Sequence, residues 1–119
     1  MSPNFIYEDD VLFNKDKSKI ISFRNQNIES YIIPDSVISI GDGAFYSCSS
    51  LSNIVIPNSV TDIGDYAFSY CSSLSNIVIP DSVTTIGYGA FSGCSLSYDF
   101  KQKLISRFGK EIFNDLWYL

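Results

Sequence analysis

The sequence predicts a repeat solenoid of mixed α/β character, one domain built on a 23-residue unit and closed at each end by a segment that does not repeat. Three observations carry this. The string CSSLSNIVIP occurs at Cys48–Pro57 and again, letter for letter, at Cys71–Pro80. Single residue types recur at the same spacing: Pro34, Pro57 and Pro80; Val37, Val60 and Val83; Ile40, Ile63 and Ile86; Gly41, Gly64 and Gly87; Phe45, Phe68 and Phe91; Cys48, Cys71 and Cys94. The flanks, residues 1–27 and 98–119, keep apolar patterning but lose the columns. Fixed columns at constant spacing are what stacked, equivalent coils require, because each side chain then packs on its own copy one rung away. A lone unit has too few apolar side chains to offset the cost of ordering its chain, so stacking is obligatory.

The elements follow in chain order. Val11–Phe13, a polar turn over Asn14–Ser18 and Ile20–Phe23 read as a hairpin, residues 1–27 forming an N-terminal cap. Residues 28–97 are the repeats, beginning with a degenerate strand over Ile28–Ile33. In a full unit, Leu51-x-x-Ile54-x-Ile56 alternates as a strand does, Pro57 ends it, and Pro57-Asn58-Ser59 turns a corner. A short extended piece, Val60–Ile63, comes next; Gly64-Asp65 then places a carboxylate to cap a brief helical turn carrying Ala67, Phe68 and Cys71. In residues 98–119, Phe100, Leu104, Ile105 and Phe108 fall at helical spacing, Gly109 stops that helix, and a second one over Glu111–Tyr118 plugs the last coil with Ile112, Phe113, Leu116 and Trp117.

Composition restricts function. The chain of 119 residues contains no histidine, which removes histidine bases, histidine metal ligands and Ser-His or Cys-His nucleophiles together. No catalytic, cofactor-binding or metal-binding residue is assigned, and no enzyme activity is expected. All eight basic residues lie at the ends, while the stretch from Asn25 to Tyr98 carries Glu29, Asp35, Asp42, Asp62, Asp65 and Asp81 without a single cation. An acidic middle repels nucleic acid and anionic membrane surfaces and suits a neutral or basic protein partner. No apolar run approaches the roughly 20 residues of a membrane span, and the N-terminus lacks a secretory leader pattern. The expectation is a cytoplasmic chain as written, or an excised piece of a surface protein.

The columns I-P-x-S-V-x-x-I-G-x-x-A-F-x-x-C-x-x-L, in three copies from Pro34 to Leu96, resemble the BspA-like leucine-rich repeat family, common in bacterial surface proteins and expanded in some protozoa. The Leu12-Phe13-Asn14-Lys15-Asp16-Lys17 stretch is similar to the hairpin often found before such repeats. The resemblance implies a right-handed leucine-rich repeat solenoid with a parallel β-sheet on its concave side and short extended and helical turns on the convex side. It also implies a role in adhesion or protein recognition.

Candidate sites are weighed against plain packing. The three cysteines occupy one column and read as small buried hydrophobes. Gly41-Asp42-Gly43 and Gly87-Tyr88-Gly89 lack the lysine of a phosphate loop, so the glycine column marks a corner of positive φ or of tight backbone packing. Asp42 and Asp65 read as caps. Outward positions are left for recognition: Ser30, Ile32, Ser52, Asn53, Val55, Ser75, Asn76 and Val78 on the concave face, and Tyr46, Tyr66, Tyr70 and Tyr88 on the convex one. The leading expectation is a non-catalytic protein-binding scaffold. The alternatives are a module that self-associates through Trp117-Tyr118-Leu119 and a weak glycan-binding surface.

Overall fold

The structure, a computed structural model, describes residues 4–113. Three antiparallel strands lead in: β1 (Phe5–Glu8), β2 (Val11–Asn14) and β3 (Lys19–Phe23). Two short strands then recur in each unit, β4 (Ser30–Ile32), β6 (Asn53–Val55) and β8 (Asn76–Ile77) at one place, and β5 (Ser39–Ile40), β7 (Asp62–Ile63) and β9 (Thr85–Ile86) at the other. The first set forms a parallel sheet in the order β4-β6-β8; the second continues the hairpin into a six-stranded sheet, β1-β2-β3-β5-β7-β9. Register is the repeat itself: Tyr31 pairs with Ile54 and Ile54 with Ile77, Ile40 with Ile63 and Ile63 with Ile86.

Two readings of the sequence are extended here. The piece at Val60–Ile63, expected as a short extended segment, contributes a rung to the larger sheet through Asp62 and Ile63, because its equivalent in each neighbouring unit presents the same pairing edge at the same offset. The hairpin has a further strand, β1, before it.

The segment after Gly64 is not helical. Ala44, Tyr46 and Cys48 donate to oxygens three residues back, at Gly41, Gly43 and Phe45, while the intervening amides reach the next unit: Gly43 to Asp65 O (2.8 Å), Phe45 to Ala67 O (2.7 Å), Ser47 to Ser69 O (2.8 Å). Left-handed residues set up this alternation at Gly43 (φ 63°), Ser47 (φ 58°), Tyr66 (φ 57°), Tyr70 (φ 60°), Gly89 (φ 63°) and Gly93 (φ 75°). A helix would leave these donors unused between units; the alternating turn pairs them, which is why it replaces the expected helix.

The column glycines Gly41, Gly64 and Gly87 are not the positive-φ residues. They are required by closeness, since a Cβ at Gly41 would sit 2.7 Å from the Ile20 carbonyl oxygen and one at Gly64 2.6 Å from the Asp42 nitrogen. The aspartates also act differently from expectation. Asp42 Oδ1 accepts from the Asp65 amide at 2.8 Å and Asp65 Oδ1 from the Tyr88 amide at 2.9 Å, so each carboxylate caps the following unit rather than its own.

Five phenylalanines make the core spine. Phe45 stacks on Phe68 (5.0 Å, 8°) and Phe68 on Phe91 (5.3 Å, 6°); Phe23 and Phe113, from the non-repeating flanks, continue the row at tilts of 32° and 45°. The expected C-terminal helix forms as α1 (Tyr98–Phe108), with Ser97 Oγ accepting from the Phe100 amide and Gly109 (φ 90°) ending it. The expected second helix is, within the described residues, a single 3₁₀ turn over Lys110–Ile112; Leu116, Trp117 and Tyr118 lie outside them. That turn takes the amides of Gly89 and Phe91 on Glu111 O (2.7 Å) and Ile112 O (2.9 Å), standing in for a further unit. Arg107 does the same at the corner, donating to Val83 O at 2.9 Å where Ser59 Oγ serves Val37 O two units earlier. Among the described residues no helix is long and apolar enough to cross a membrane.

Phe68 is flanked by rings on both sides, so Phe68→Ala is expected to cost about 3–5 kcal/mol, and Phe68→Leu clearly less. Denaturant midpoints at unchanged slope check this.

Candidate binding surfaces

The smaller sheet turns alternate side chains outward. Ile54 and Ile77 are buried, while Ile32, Val55 and Val78 are 72%, 54% and 79% exposed. The ladder aligns Ser30 with Asn53 and Asn53 with Asn76, and beside that row Ile32 with Val55, with Val78 directly after β8. The result is an uncharged strip, one row of hydroxyl and carboxamide groups next to one row of β-branched side chains. Ser75 is exposed too, but Ser52 is half-buried, its Oγ donating to Glu29 O at 3.1 Å. A shallow depression of about 540 Å³ runs from Ile32 and Val55 to Pro57, Asn58 and Asp35. A smaller one, about 370 Å³, lies between Asn76, Val78, Ser97 and Phe100.

The tyrosines form two edge-on pairs, Tyr46 with Tyr70 (5.7 Å, 86°) and Tyr66 with Tyr88 (5.7 Å, 73°). They are exposed but laid down. A Cβ at Gly89 would come within 2.7 Å of the Tyr66 ring, and one at Gly93 within 2.7 Å of the Tyr70 ring, so each ring lies over a glycine of the next unit. Much of their apolar area is thereby spent inside the chain.

Among the described residues no group of three His, Cys, Asp or Glu side chains is placed to hold a metal ion. Cys48, Cys71 and Cys94 are buried thiols outside any disulfide. The Cys71 thiol donates to Phe45 O at 3.0 Å and the Cys94 thiol to Phe68 O at 3.1 Å, tying each unit to the one before. Burial pushes the Cys48 thiol up to about 11 from 9.0. Cys71 moves further the same way, through burial first and then the neighbouring thiols. Between about pH 9 and 11 the unfolded chain therefore loses protons that the folded chain keeps, and stability falls as pH rises. The melting temperature is expected to drop across that window, less steeply in Cys48→Ala/Cys71→Ala, and native thiols are expected to resist iodoacetamide at pH 7.5; equal slopes in both proteins would refute the assignment.

Arg107 has no counterpart in the repeat columns, and its role comes from the Pro80 and Val83 carbonyl oxygens that its guanidinium meets. Ser39 Oγ donates to Asp62 on the larger sheet (2.7 Å), a bond whose signal in the sequence is the 23-residue offset between the two.

The chain matches the model of the BspA type leucine rich repeat region, a six-copy model, over residues 18–119. No curated protein matches it. Among solved structures it is similar to a leucine-rich repeat protein from Eubacterium ventriosum, with a TM-score of 0.74 and 32% identity over 79% of this chain and 26% of that one. A leucine-rich repeat protein from Bacteroides ovatus gives 0.61 and 34% over 80% and 25%, and a leucine rich cell surface protein from Faecalibacterium prausnitzii 0.66 and 30% over 82% and 30%. The chain thus spans between a quarter and a third of the length of these structures. With the match covering the whole repeat region and the C-terminal segment, the chain belongs to the BspA type leucine-rich repeat family.

Proposed function

We propose that this chain is a short right-handed solenoid, closed by its hairpin and by α1, that serves as a non-catalytic protein-binding scaffold. Leucine-rich repeat families are generally such scaffolds, and one similar structure, described as a cell surface protein, supports a setting in adhesion or partner recognition. The observation that carries the reading is the strip on the smaller sheet: Ile32, Val55 and Val78 stand in solvent on a rigid, uncharged ladder. Exposed β-branched side chains in a row have no packing role to explain them, whereas the tyrosines have one. The strip is therefore the binding face, and the tyrosine edge is secondary. The acidic middle of the chain favours a neutral or basic partner.

The test compares the wild-type domain with Ile32→Ser/Val55→Ser/Val78→Ser and with Tyr66→Ser/Tyr70→Ser. Partner proteins captured from the native cells and identified by mass spectrometry are expected to be lost from the first variant, at unchanged melting temperature, and kept by the second. Retention by the first would remove the strip from consideration.

A further inference from the structure

The smaller sheet ends differently on its two sides. Beyond β8, α1 follows, with Phe100 beside Asn76 and Val78, and the Ser95 amide donates to Leu74 O at 3.0 Å. Beyond β4 no strand follows among the described residues, because the preceding hairpin extends the other sheet through β3. The β4–β6 ladder uses Glu29 O, which accepts from the Asn53 amide (3.1 Å), and the Ile33 amide, which donates to Val55 O (3.1 Å). Main-chain groups alternate in direction along a strand, so those of Ser30 and Ile32 point to the open side.

The rim of that side is acidic. Tyr31 is half-buried between Phe23 and Phe45, and its hydroxyl is raised to about 12, by burial first and then by the Asp9 and Glu8 carboxylates. Glu8 is paired with Lys17 at 2.8 Å. Asp9, at the β1–β2 turn, and Glu29, at the start of β4, are exposed, and Arg24 is the one cation between β3 and β4.

We propose that the outer edge of β4 takes an extended basic segment of a partner protein by strand addition. The partner's main chain pairs with Ser30 and Ile32, its Lys or Arg side chains face Asp9 and Glu29, and a β-branched side chain lengthens the Ile32–Val55–Val78 row by one rung. This deepens the protein-binding reading and rests on it, naming the edge and the chemistry of the segment. A second copy fits worse. The chain carries a net charge of −5 and has no cation between Asn25 and Tyr98, and a three-residue edge is far short of the about 800 Å² per partner of a standard interface.

The probe is a terminally blocked hexapeptide of alternating Lys and Val, titrated into the full chain at low salt and followed by amide hydrogen exchange. Saturable binding with protection of the Ser30 and Ile32 amides is expected. Asp9→Asn/Glu29→Gln should weaken it about tenfold, and the corresponding Glu/Val peptide should not bind. Ile32→Pro removes an outward donor that β6 does not use, so it should fold and fail to bind. Should that variant unfold, Asp9→Lys/Glu29→Lys carries the same test. Binding without protection at Ser30 and Ile32, or binding indifferent to these substitutions, would overturn the proposal. Val55→Ser/Val78→Ser should leave peptide binding in place, which separates failure of the edge from failure of the face.

Discussion

A fixed offset of 23 residues between hydrogen-bonded partners governs this molecule. Every unit must return to the same height with the same groups facing up and down, or three separate ladders lose register together. Two of those ladders are short parallel strands; the third is the alternating turn, which gives every second amide to the next unit. None of these strands exceeds three residues, too few to hold a sheet alone, so the constraint is collective.

The side chains obey the same offset. Phenylalanines stack face to face only where both rings belong to repeats, and they tilt where a flank supplies the partner. Asp42 and Asp65 reach forward to amides of the following unit, while Cys71, Cys94, Ser59 and Ser95 reach back to carbonyls of the preceding one. Each boundary is thus tied in both directions, leaving the outward positions of β4, β6 and β8 free of structural duty. This is what separates Val55 and Val78, in solvent, from Tyr66 and Tyr70, resting on glycines.

The columns made the stacking and the buried set readable from sequence, since Val60, Ile63, Phe68 and Cys71 each sit where their copies sit. What escaped depended on main-chain direction. Nothing in Gly64-Asp65-Tyr66 distinguishes a helical turn from one whose alternate amides leave for the next unit, because propensity speaks of local bonds and these are remote. The aspartate was recognised as a cap but its target lay a full unit away. The exposed strip followed from strand alternation; Ser52 departed from it because its hydroxyl finds the Glu29 carbonyl. The open edge of β4 arises from where the hairpin joins, a question of topology on which periodicity is silent.

Because each interior boundary repeats the same main-chain bonds, the ladders themselves set no particular number of units. A duplication or deletion of one whole 23-residue module leaves main-chain ladders that already match, whereas losing a few residues mismatches every rung beyond the lesion. The decapeptide present twice without change, CSSLSNIVIP, is the kind of sequence trace that copying of a module leaves behind. Gene-level expansion and contraction can therefore alter how much surface the protein displays without any need to redesign its core.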